Sequence, residues 1–475
     1  MASTWILITG GTVIDGSGDP PEQVGVLLRD DRIHAVGVGA ALENIPRGEP
    51  VHVIDAAGKW VMPGMIDVHC HMTYGESKTQ EEQDLYTGVE ARTLRAAWNT
   101  RKVLRAGVTG ISQPGGSYYI GVAIRDAIRD RMLPGPRMTT AGRYLTTSNG
   151  LTDWYPEPVG VPDSSIGTLT NNPGDMVDTI RRQVKNGVDL IKLSDSPFGD
   201  YQAFTGDELK IVADLAHQLN KRVTIHARGS AEVSAAVAAG FDWIMHGNLM
   251  TDEVIDKLAQ SRIPLVPTLL LLANQADYGH LVGVPARAID GCRRMLEKTA
   301  ETLHRAHAAG VTMVAGTDTG FATTPYGEWH ARELQLLMEY AGLSAMEAIQ
   351  AATVNAAPMV NLAGQIGEVR PGCLADLLVL SADPVSNVRA LQDPASIEMI
   401  IQDGEVLDVT GEPDRPSWPH QPSRVQATAT LTREVVNGGS ASSDPLGWEE
   451  EQARDLFSDI ARRGRAARVP DSAEA

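Results

Sequence analysis

Short apolar runs broken by glycine, aspartate and proline open the chain, and a similar pattern returns towards its other end. Runs of this kind predict antiparallel strands joined by tight turns, and the pair Asp403-Gly404 is a hairpin signal. Because strands this short need partners, both ends of the chain are predicted to form one small β-sandwich subdomain. The predicted strands are Trp5–Ile8, Val24–Leu28, Ile33–Val36, Val51–Ile54, Leu374–Leu380 and Ile397–Val406.

Between these regions, a short apolar run alternates with a longer amphipathic stretch. Eight such units predict the α/β class, with a closed parallel (β/α)₈ TIM barrel as the topology. The predicted barrel strands are Met65–Val68, Val108–Ser112, Met138–Ala141, Val188–Leu193, Val223–Ala227, Trp243–His246, Leu265–Leu269 and Thr312–Ala315. The clearest predicted helices are Val89–Arg105, Met176–Lys185, Asp207–Leu219 and Ala231–Ala239.

Three regions follow from this pattern. Residues 1–62 and 362–412 are predicted to form the composite β-sandwich subdomain, 63–361 the barrel and 413–475 a C-terminal extension. The extension is polar and rich in Pro, Ser, Thr and Gly, with a charged helix predicted over Trp448–Arg463. We expect it to pack on the protein's surface or on a sister subunit of a homo-oligomer.

Composition narrows the classes of partner. With 475 residues and 43% hydrophobic content, the chain can bury a large catalytic domain and a smaller one. The 60 acidic residues outnumber the 41 basic ones, and the net charge of −19 repels phosphate backbones and anionic membranes. We therefore expect a small-molecule substrate, with no nucleic-acid or membrane partner.

Cysteine usage and the N-terminus indicate the compartment. The three cysteines lie far apart without a Cys-x-x-Cys pair, so neither a disulfide framework nor a thiolate zinc site is predicted. Residues 1–10 have neither a basic n-region nor an extended apolar h-region. Together these features predict a cytoplasmic protein.

Candidate metal ligands stand near the ends of the predicted barrel strands. His69 and His71 follow the first strand, and alternation along a strand sends both imidazoles to the same side. Four further side chains sit near the carboxyl ends of other predicted strands, where the catalytic groups of this architecture are built. These four are Lys192, His226, His246 and Asp318.

From about Gly10 to Val406 the sequence resembles the amidohydrolase superfamily. The resemblance is carried by Gly58-Lys59-Trp60-Val61-Met62-Pro63-Gly64-Met65-Ile66-Asp67 before the histidine pair, and by Gly316-Thr317-Asp318. Thr353-Val354-Asn355-Ala356-Ala357 and Gly372-Cys373-Leu374-Ala375-Asp376-Leu377 look like the family's closing segments. These motifs are specific for the superfamily and say little about the substrate.

The resemblance implies a binuclear metal centre. It implies His69, His71 and Asp318 on one divalent cation, His226 and His246 on the other, and Lys192 as a bridging carbamate derived from CO₂. Zinc is the default for such nitrogen and oxygen ligands, although manganese and cobalt also suit them. A bridging hydroxide would then attack the substrate, with Asp318 as the catalytic proton acceptor and donor.

Several assignments have alternatives. Lys192 can instead pair with Asp195, the two later histidines can be unmetallated core residues, and Asp318 can be a turn residue. Arg228 suits either a substrate carboxylate or carbonyl, or a structural ion pair. His330, Tyr119 and Tyr155, in loops on the catalytic side, are further candidate substrate contacts, with loop packing as the alternative.

Within the superfamily, the chain resembles the branch of imidazolonepropionase-like proteins and metal-dependent Xaa-Pro dipeptidases. The segment Leu145–Leu151, followed by Trp154-Tyr155-Pro156, is more like relatives that hydrolyse phenylurea herbicides and the thiocarbamate molinate. Arg228 also stands where many dipeptidase-like relatives have a histidine. The resemblance thus implies hydrolysis of a C–N bond in an amide, urea, carbamate or thiocarbamate with an aromatic or apolar body, as in xenobiotic degradation.

Three other functions are weighed against this one. The first is an Xaa-Pro type dipeptidase. The second is a deaminase, although Gly229 stands where such enzymes usually carry a proton-shuttling glutamate. The third is a non-catalytic scaffold on the same fold, which the complete set of candidate ligands argues against.

Overall fold

The computed structural model describes residues 4–39, 48–408 and 429–439. Strands and helices alternate over its central part, and the terminal parts are mainly β. The strands are β1 (Trp5–Thr9), β2 (Thr12–Val13), β3 (Glu22–Gln23), β4 (Gly25–Arg29), β5 (Arg32–Gly37), β6 (Val51–Asp55), β7 (Trp60–Pro63), β8 (Met65–Asp67), β9 (Val108–Gln113), β10 (Arg137–Thr140), β11 (Tyr144–Thr146), β12 (Gly167–Leu169), β13 (Leu190–Ser194), β14 (Arg222–Gly229), β15 (Trp243–Leu249), β16 (Leu265–Val266), β17 (Leu377–Leu380), β18 (Ile397–Gln402) and β19 (Glu405–Val406).

Most helices lie between successive central strands. The α-helices are α1 (Val89–Arg105), α2 (Ile120–Arg129), α3 (Pro173–Lys185), α4 (Gly206–Gln218), α5 (Ser230–Ala239), α6 (Asp252–Ser261), α7 (Leu270–Tyr278), α8 (Ala286–Ala308), α9 (Arg332–Ala341), α10 (Ala345–Ala351) and α11 (Arg433–Val436). A π-helix spans Glu82–Tyr86, and 3₁₀ turns span Gly279–Val282, Ala357–Val360, Val388–Gln392 and Pro394–Ser396. No helix in the described ranges is long and apolar enough to cross a membrane.

The central strands form two parallel sheets, in the orders β10-β9-β8 and β12-β11-β13-β14-β15-β16. Backbone hydrogen bonds connect them on both sides. The amide of Asp189 donates to the carbonyl of Thr140 beside β13, over 2.8 Å. On the other side, Val314 donates to Leu265 and Val68 donates to Ala315, over 2.9 and 3.1 Å.

The terminal parts of the chain form two further sheets. One has the order β5-β4-β1-β6, and the other, β19-β18-β17-β7-β2-β3, pairs C-terminal β17 with N-terminal β7. Apolar side chains from both sheets, among them Ile8, Leu28, Val61 and Leu377, pack in one buried cluster. The two ends of the chain therefore stabilise each other by sharing a core.

The predicted elements agree best with the observed ones where the sequence pattern is long or the turn signal is specific. Helix α1 has the predicted bounds, and β18 and β19 form a hairpin across Asp403-Gly404, whose φ values of 53° and 71° fit the predicted tight turn. Two predicted barrel strands are too long. Leu265–Leu269 is extended only over Leu265–Val266, because Thr268 is left-handed at φ 56°, and Thr312–Ala315 forms only an isolated bridge at Met313.

The predicted extension is described only over 429–439, and the helix predicted over Trp448–Arg463 lies outside the described residues. Within 429–439, Ala429, Leu431 and Val435 belong to the main hydrophobic cluster. That cluster also contains side chains from helices α1 to α10 and fills the space around the parallel sheets.

Candidate metal centre and its cavity

Three donors meet where β8 ends. His69 and His71 follow β8, and Asp318 follows the bridge at Met313; their ligand atoms lie within 4.8 Å of one another. Oδ1 of Asp318 lies 3.1 Å from Nε2 of His71 and 3.5 Å from Nε2 of His69. The amide of Asp318 donates to the carbonyl of His69 over 2.7 Å, which fixes the distance between the two segments.

The opposite ring nitrogens of these histidines have partners that fix the tautomers. Nδ1 of His71 lies 2.8 Å from the carbonyl oxygen of Gly115, which can only accept a proton. Nδ1 of His69 lies 3.0 Å from Oγ1 of Thr268, whose own proton points to the carbonyl of Val266. Both Nδ1 atoms are therefore donors, and each Nε2 keeps its lone pair towards Asp318.

Two neighbouring strands of the six-stranded parallel sheet supply two more imidazoles. His226 lies on β14 and His246 on β15, and their ring centroids are 4.2 Å apart. The ring of His246 lies 5.4 Å from that of His69, so this pair adjoins the first group. Nε2 of His226 and Nδ1 of His246 are buried without a hydrogen-bond partner. Unpaired buried nitrogens are costly, so they indicate a missing partner such as a cation.

Lys192 lies on β13 beside these groups and is buried. Its Nζ atom contacts Sδ of Met245, which is a weak acceptor, and it forms no ion pair in the described part of the chain. The alternative pair with Asp195 is absent: that carboxylate accepts the amides of Ser196 and Ala203. Burial lowers the pKa of Lys192 to about 7, so the neutral amine is populated at neutral pH.

Burial also keeps the imidazoles neutral. Desolvation holds the pKa values of His69, His226 and His246 well below the usual range. For Asp318, burial acts to raise the pKa, and the positive charge that His69 and His71 carry when protonated acts to lower it below the usual carboxyl value. Neutral imidazoles and an ionised carboxylate are the protonation states that a divalent cation requires of its ligands.

Three residues in and around the site have left-handed backbone conformations. The φ angles are 78° at His246, 56° at Thr268 and 58° at Asp318, which non-glycine residues rarely adopt. Directly after Thr268, the backbone amides of Leu269 and Leu270 donate to the buried carboxylate of Glu333 over 2.8 to 3.1 Å. Gly316 allows close approach, since a Cβ atom there would lie 2.8 Å from Cβ of His69. The site is therefore held in shape by its surroundings.

An open cavity of about 370 Å³ lies over these groups. Its wall is mainly apolar and aromatic, with Trp154 and Phe321 packed beside Ile166 in a small separate cluster. The other contributors come from β11, α7, α8 and the loops; the lining residues include Tyr74, Tyr144, Leu151, Leu271, Gln275, Val284 and Arg228. Such a cavity suits a small substrate with an apolar body.

Arg228 is the one candidate substrate contact that lines this cavity. It is buried, and Nη1 donates to Oδ1 of Asn248 over 2.6 Å. The predicted alternative, a structural ion pair, is not found in the described ranges. A buried guanidinium without a carboxylate is a strong binding group for a substrate carboxylate or carbonyl.

The other three candidates lie elsewhere. His330 is buried outside the cavity lining, and its Nδ1 atom lies 2.7 Å from Oδ2 of Asp67. Tyr119 lines a separate surface depression beside Arg143. The hydroxyl of Tyr155 donates to Asp84 over 3.3 Å. None of these three side chains lines the cavity over the metal ligands, so their role as substrate contacts stays a prediction.

Sequence reasoning missed several residues of the site. Tyr74 stacks on His71 at 4.2 Å between ring centroids, and its hydroxyl lies 2.6 Å from that of Tyr144. Thr268 orients His69 from the end of a different strand. The only available signal was position: Tyr74 comes shortly after one predicted strand and Thr268 stands near the end of another, on the side where the ligands lie.

Comparison with known proteins agrees with this geometry. The profile of the Amidohydrolase family matches residues 60–407. The chain belongs to the amidohydrolase family. It is 26% identical to ochratoxinase of Aspergillus niger over 445 residues, covering 85% of this chain and 87% of that protein. It is also 26% identical to imidazolonepropionase of Ralstonia nicotianae over 424 residues, covering 82% of this chain and 94% of that protein.

Solved structures give the same result. A prolidase crystallised with N-methylphosphonate-L-proline matches with a TM-score of 0.75 and 25% identity, covering 85% of this chain and 99% of that chain. Molinate hydrolase matches with a TM-score of 0.72 and 22% identity, covering 90% of this chain and all of that chain. Phenylurea hydrolase B matches with a TM-score of 0.70 and 21% identity, covering 89% of this chain and all of that chain. These last two show the fold alone. The predicted superfamily and its branch are confirmed, and so is an α/β fold.

Proposed function

We propose that this amidohydrolase hydrolyses a C–N bond of a small apolar or aromatic amide, urea, carbamate or thiocarbamate. The observation that carries the proposal is the meeting of six potential ligands under one apolar cavity. Two of their imidazole nitrogens are buried without a partner. The architecture proposed for it is a closed (β/α)₈ barrel, supported by the backbone bonds at Asp189, Val314 and Val68 that link the two parallel sheets.

The residues present fit two divalent cations. His69, His71 and Asp318 would hold the first, because their ligand atoms lie within 4.8 Å of one another. His226 and His246 would hold the second, because both line the cavity and each has a buried ring nitrogen without a partner. Zinc, manganese and cobalt all accept such a set of nitrogen and oxygen donors. When bound, two such cations lower the pKa of water and polarise a carbonyl oxygen.

Lys192 would link the two groups as a carbamate. Its neutral amine can attack CO₂ and release one proton to solvent, which gives a carbamate anion with two oxygens. The site favours this reaction, since burial and the nearby Arg228 together outweigh the attraction of Asp318 for the ammonium form and lower the pKa of Lys192 to about 7. Carbamate formation would also remove a buried amine whose contact is the weakly accepting thioether of Met245.

Asp318 would move the proton. Its carboxylate faces the cavity at the point where the histidine pair meets it, and its pKa is held low, so it is ionised before the reaction. It can accept a proton from the attacking water at a carboxylate oxygen. It can then give that proton to the leaving nitrogen, which would otherwise depart as a poor leaving group.

Substrate choice would follow from the cavity wall. The aromatic side of the cavity, with Trp154 and Phe321, would pack on a flat apolar body. Arg228 would bind a carbonyl oxygen or carboxylate nearby, because its guanidinium forms no direct ion pair among the described residues and contacts the neutral amide of Asn248. A substrate offering both features would use the whole cavity.

A dipeptidase is the second candidate. The similarity to the solved prolidase favours it, and Arg228 is suited to the free carboxylate of a dipeptide. The two proposals differ in the bond broken and in the need for a free carboxylate beside it.

A hydrolysis screen distinguishes these functions. Metal-replete protein would be assayed for amine release from matched panels of aryl amides, phenylureas, carbamates, thiocarbamates and Xaa-Pro dipeptides. We expect turnover in at least one of the first four panels. Release of proline without turnover of any of them would establish the second candidate instead. No turnover in any panel, with metal content below one ion per chain, would support the scaffold.

A further inference from the structure

The segment Ala429–Gly439 lies beyond the residues that match the family profile, yet it is part of the main core. Leu431 is fully buried, and Ala429, Thr432 and Val435 are each less than a tenth exposed. A peripheral tail would not bury consecutive side chains to this degree. The segment therefore has a defined docking site.

That docking site is the loop 319–331, which follows Asp318. The amide of Leu431 donates to the carbonyl of Ala322 over 2.9 Å, and the carbonyl of Leu431 accepts Nε1 of Trp329 over 2.8 Å. One residue thus connects both ends of the loop. Arg433 extends the contact by donating to the carbonyl of Glu328 over 2.6 Å, with its guanidinium 5.8 Å from the ring of Trp329.

The loop also belongs to the cavity. Phe321, next to Ala322, lines it and lies 4.9 Å from the ring of Tyr74. Thr324 donates from its hydroxyl to the carbonyl of Asp318 over 2.9 Å. Ala322 is held on its other side as well, because its amide donates to the carbonyl of Ser77 over 3.2 Å. Moving Ala322 would therefore move Phe321 and affect the backbone at Asp318.

We propose that Leu431 and its segment 429–439 position Phe321 and the loop after Asp318, and so help to determine which apolar substrates the cavity accepts. The claim that this wall meets substrate rests on the proposed function. The claim that the segment holds the loop does not. Leu431 and Trp329 are positioning residues, since neither has been placed among the groups that touch substrate.

Hydrogen exchange tests the positioning claim without any substrate. In full-length Leu431→Asp, a carboxylate would be forced into an apolar core, and the segment would detach. We expect amides of 319–331 to exchange at least about tenfold faster than in the native protein. Trp329→Phe, which removes the indole donor together with part of the ring, should show a smaller increase. Glu434→Ala, at an exposed position of the same segment, is the matched control and should match the native protein.

Kinetics test the specificity claim. For variants with native metal content, we expect KM for a bulky aromatic substrate to rise about three- to tenfold, with little change for a small one and a smaller change in kcat. Leu431→Met, which keeps an apolar side chain of similar size, should have native KM and kcat values. Should Leu431→Asp fail to fold, Leu431→Ala and Trp329→Phe carry the same comparison.

Two outcomes overturn the proposal. The first is unchanged exchange of 319–331 while amides of 429–439 become freely exchanging. The second is faster exchange with KM values that rise equally for bulky and small substrates. If no substrate is found, the exchange result still stands, and the failure lies with the proposed function alone.

Discussion

Nδ1 of His330 lies 2.7 Å from Oδ2 of Asp67, and both side chains are buried. Asp67 also accepts the amide of His69 over 3.0 Å and the hydroxyl of Thr317 over 2.5 Å. This carboxylate therefore connects the segment that carries the histidine pair with the segment that carries Asp318. His330 supports the site from outside the cavity.

Replacing His330 should affect stability more than binding. His330→Ala leaves a buried carboxylate with one donor fewer, so we expect a loss of about 1–3 kcal/mol in the free energy of unfolding. KM should stay within about twofold of native, because the side chain does not line the cavity. Denaturant titration and initial rates measure the two effects, with His280→Ala at an exposed position as control. A higher KM at native stability would instead support the predicted role of His330 as a substrate contact.

Asp318→Asn should keep bound metal and lose turnover. The amide keeps a ligand oxygen but cannot take up the proton, so we expect kcat to fall about 10²- to 10⁴-fold. Metal content by elemental analysis should remain that of the native protein. Asp163→Asn, whose side chain is fully exposed, should behave as native. Substantial activity in Asp318→Asn would remove this residue from the proton-transfer role.

Lys192→Ala should lose one of two metal ions per chain, because the proposed link between the two groups of ligands is gone. Adding a short carboxylate such as acetate or propionate should restore metal and part of the activity, since it supplies the same two oxygens. Lys210→Ala, at an exposed position, controls for loss of a lysine charge. Unchanged metal content in Lys192→Ala would argue against the bridge.

Carbamate formation should depend on pH in a defined direction. Burial lowers the pKa of Lys192 to about 7, so the unreactive ammonium form prevails below that pH and the neutral amine above it. Uptake of ¹³C-bicarbonate by metal-free protein, followed by ¹³C NMR, should therefore rise through about pH 7 and be absent in Lys192→Ala. A rise only near pH 10, where ordinary lysines titrate, would contradict this assignment.

Arg228→Gln should weaken binding of substrates that place a carboxylate or carbonyl oxygen beside it. A charged hydrogen bond contributes about 1.5–3 kcal/mol, so we expect KM to rise between about 10- and 150-fold. Substrates without such a group should be affected much less. Arg182→Gln, an exposed position, is the control. Equal effects on both substrate types would point to a structural role for Arg228.

The sequence alone predicted the six polar side chains that the structure brings together around one cavity. Histidine, lysine and aspartate at the ends of apolar runs are recognisable because strand alternation and parallel packing bring such positions to one edge. The bounds of α1 were predictable because local periodicity determines them, and the hairpin at Asp403-Gly404 because this residue pair favours a tight turn. The residues that position these groups followed no such rule.

The local pattern determined which side chains can carry the chemistry, and the tertiary structure decided how they are held. Thr268 meets His69 across 199 positions and His330 meets Asp67 across 263, distances over which no periodicity extends. Leu431 reaches the loop after Asp318 from beyond the family's matched region. A contact between distant segments depends on how the whole chain packs, and that packing is a collective property of many side chains.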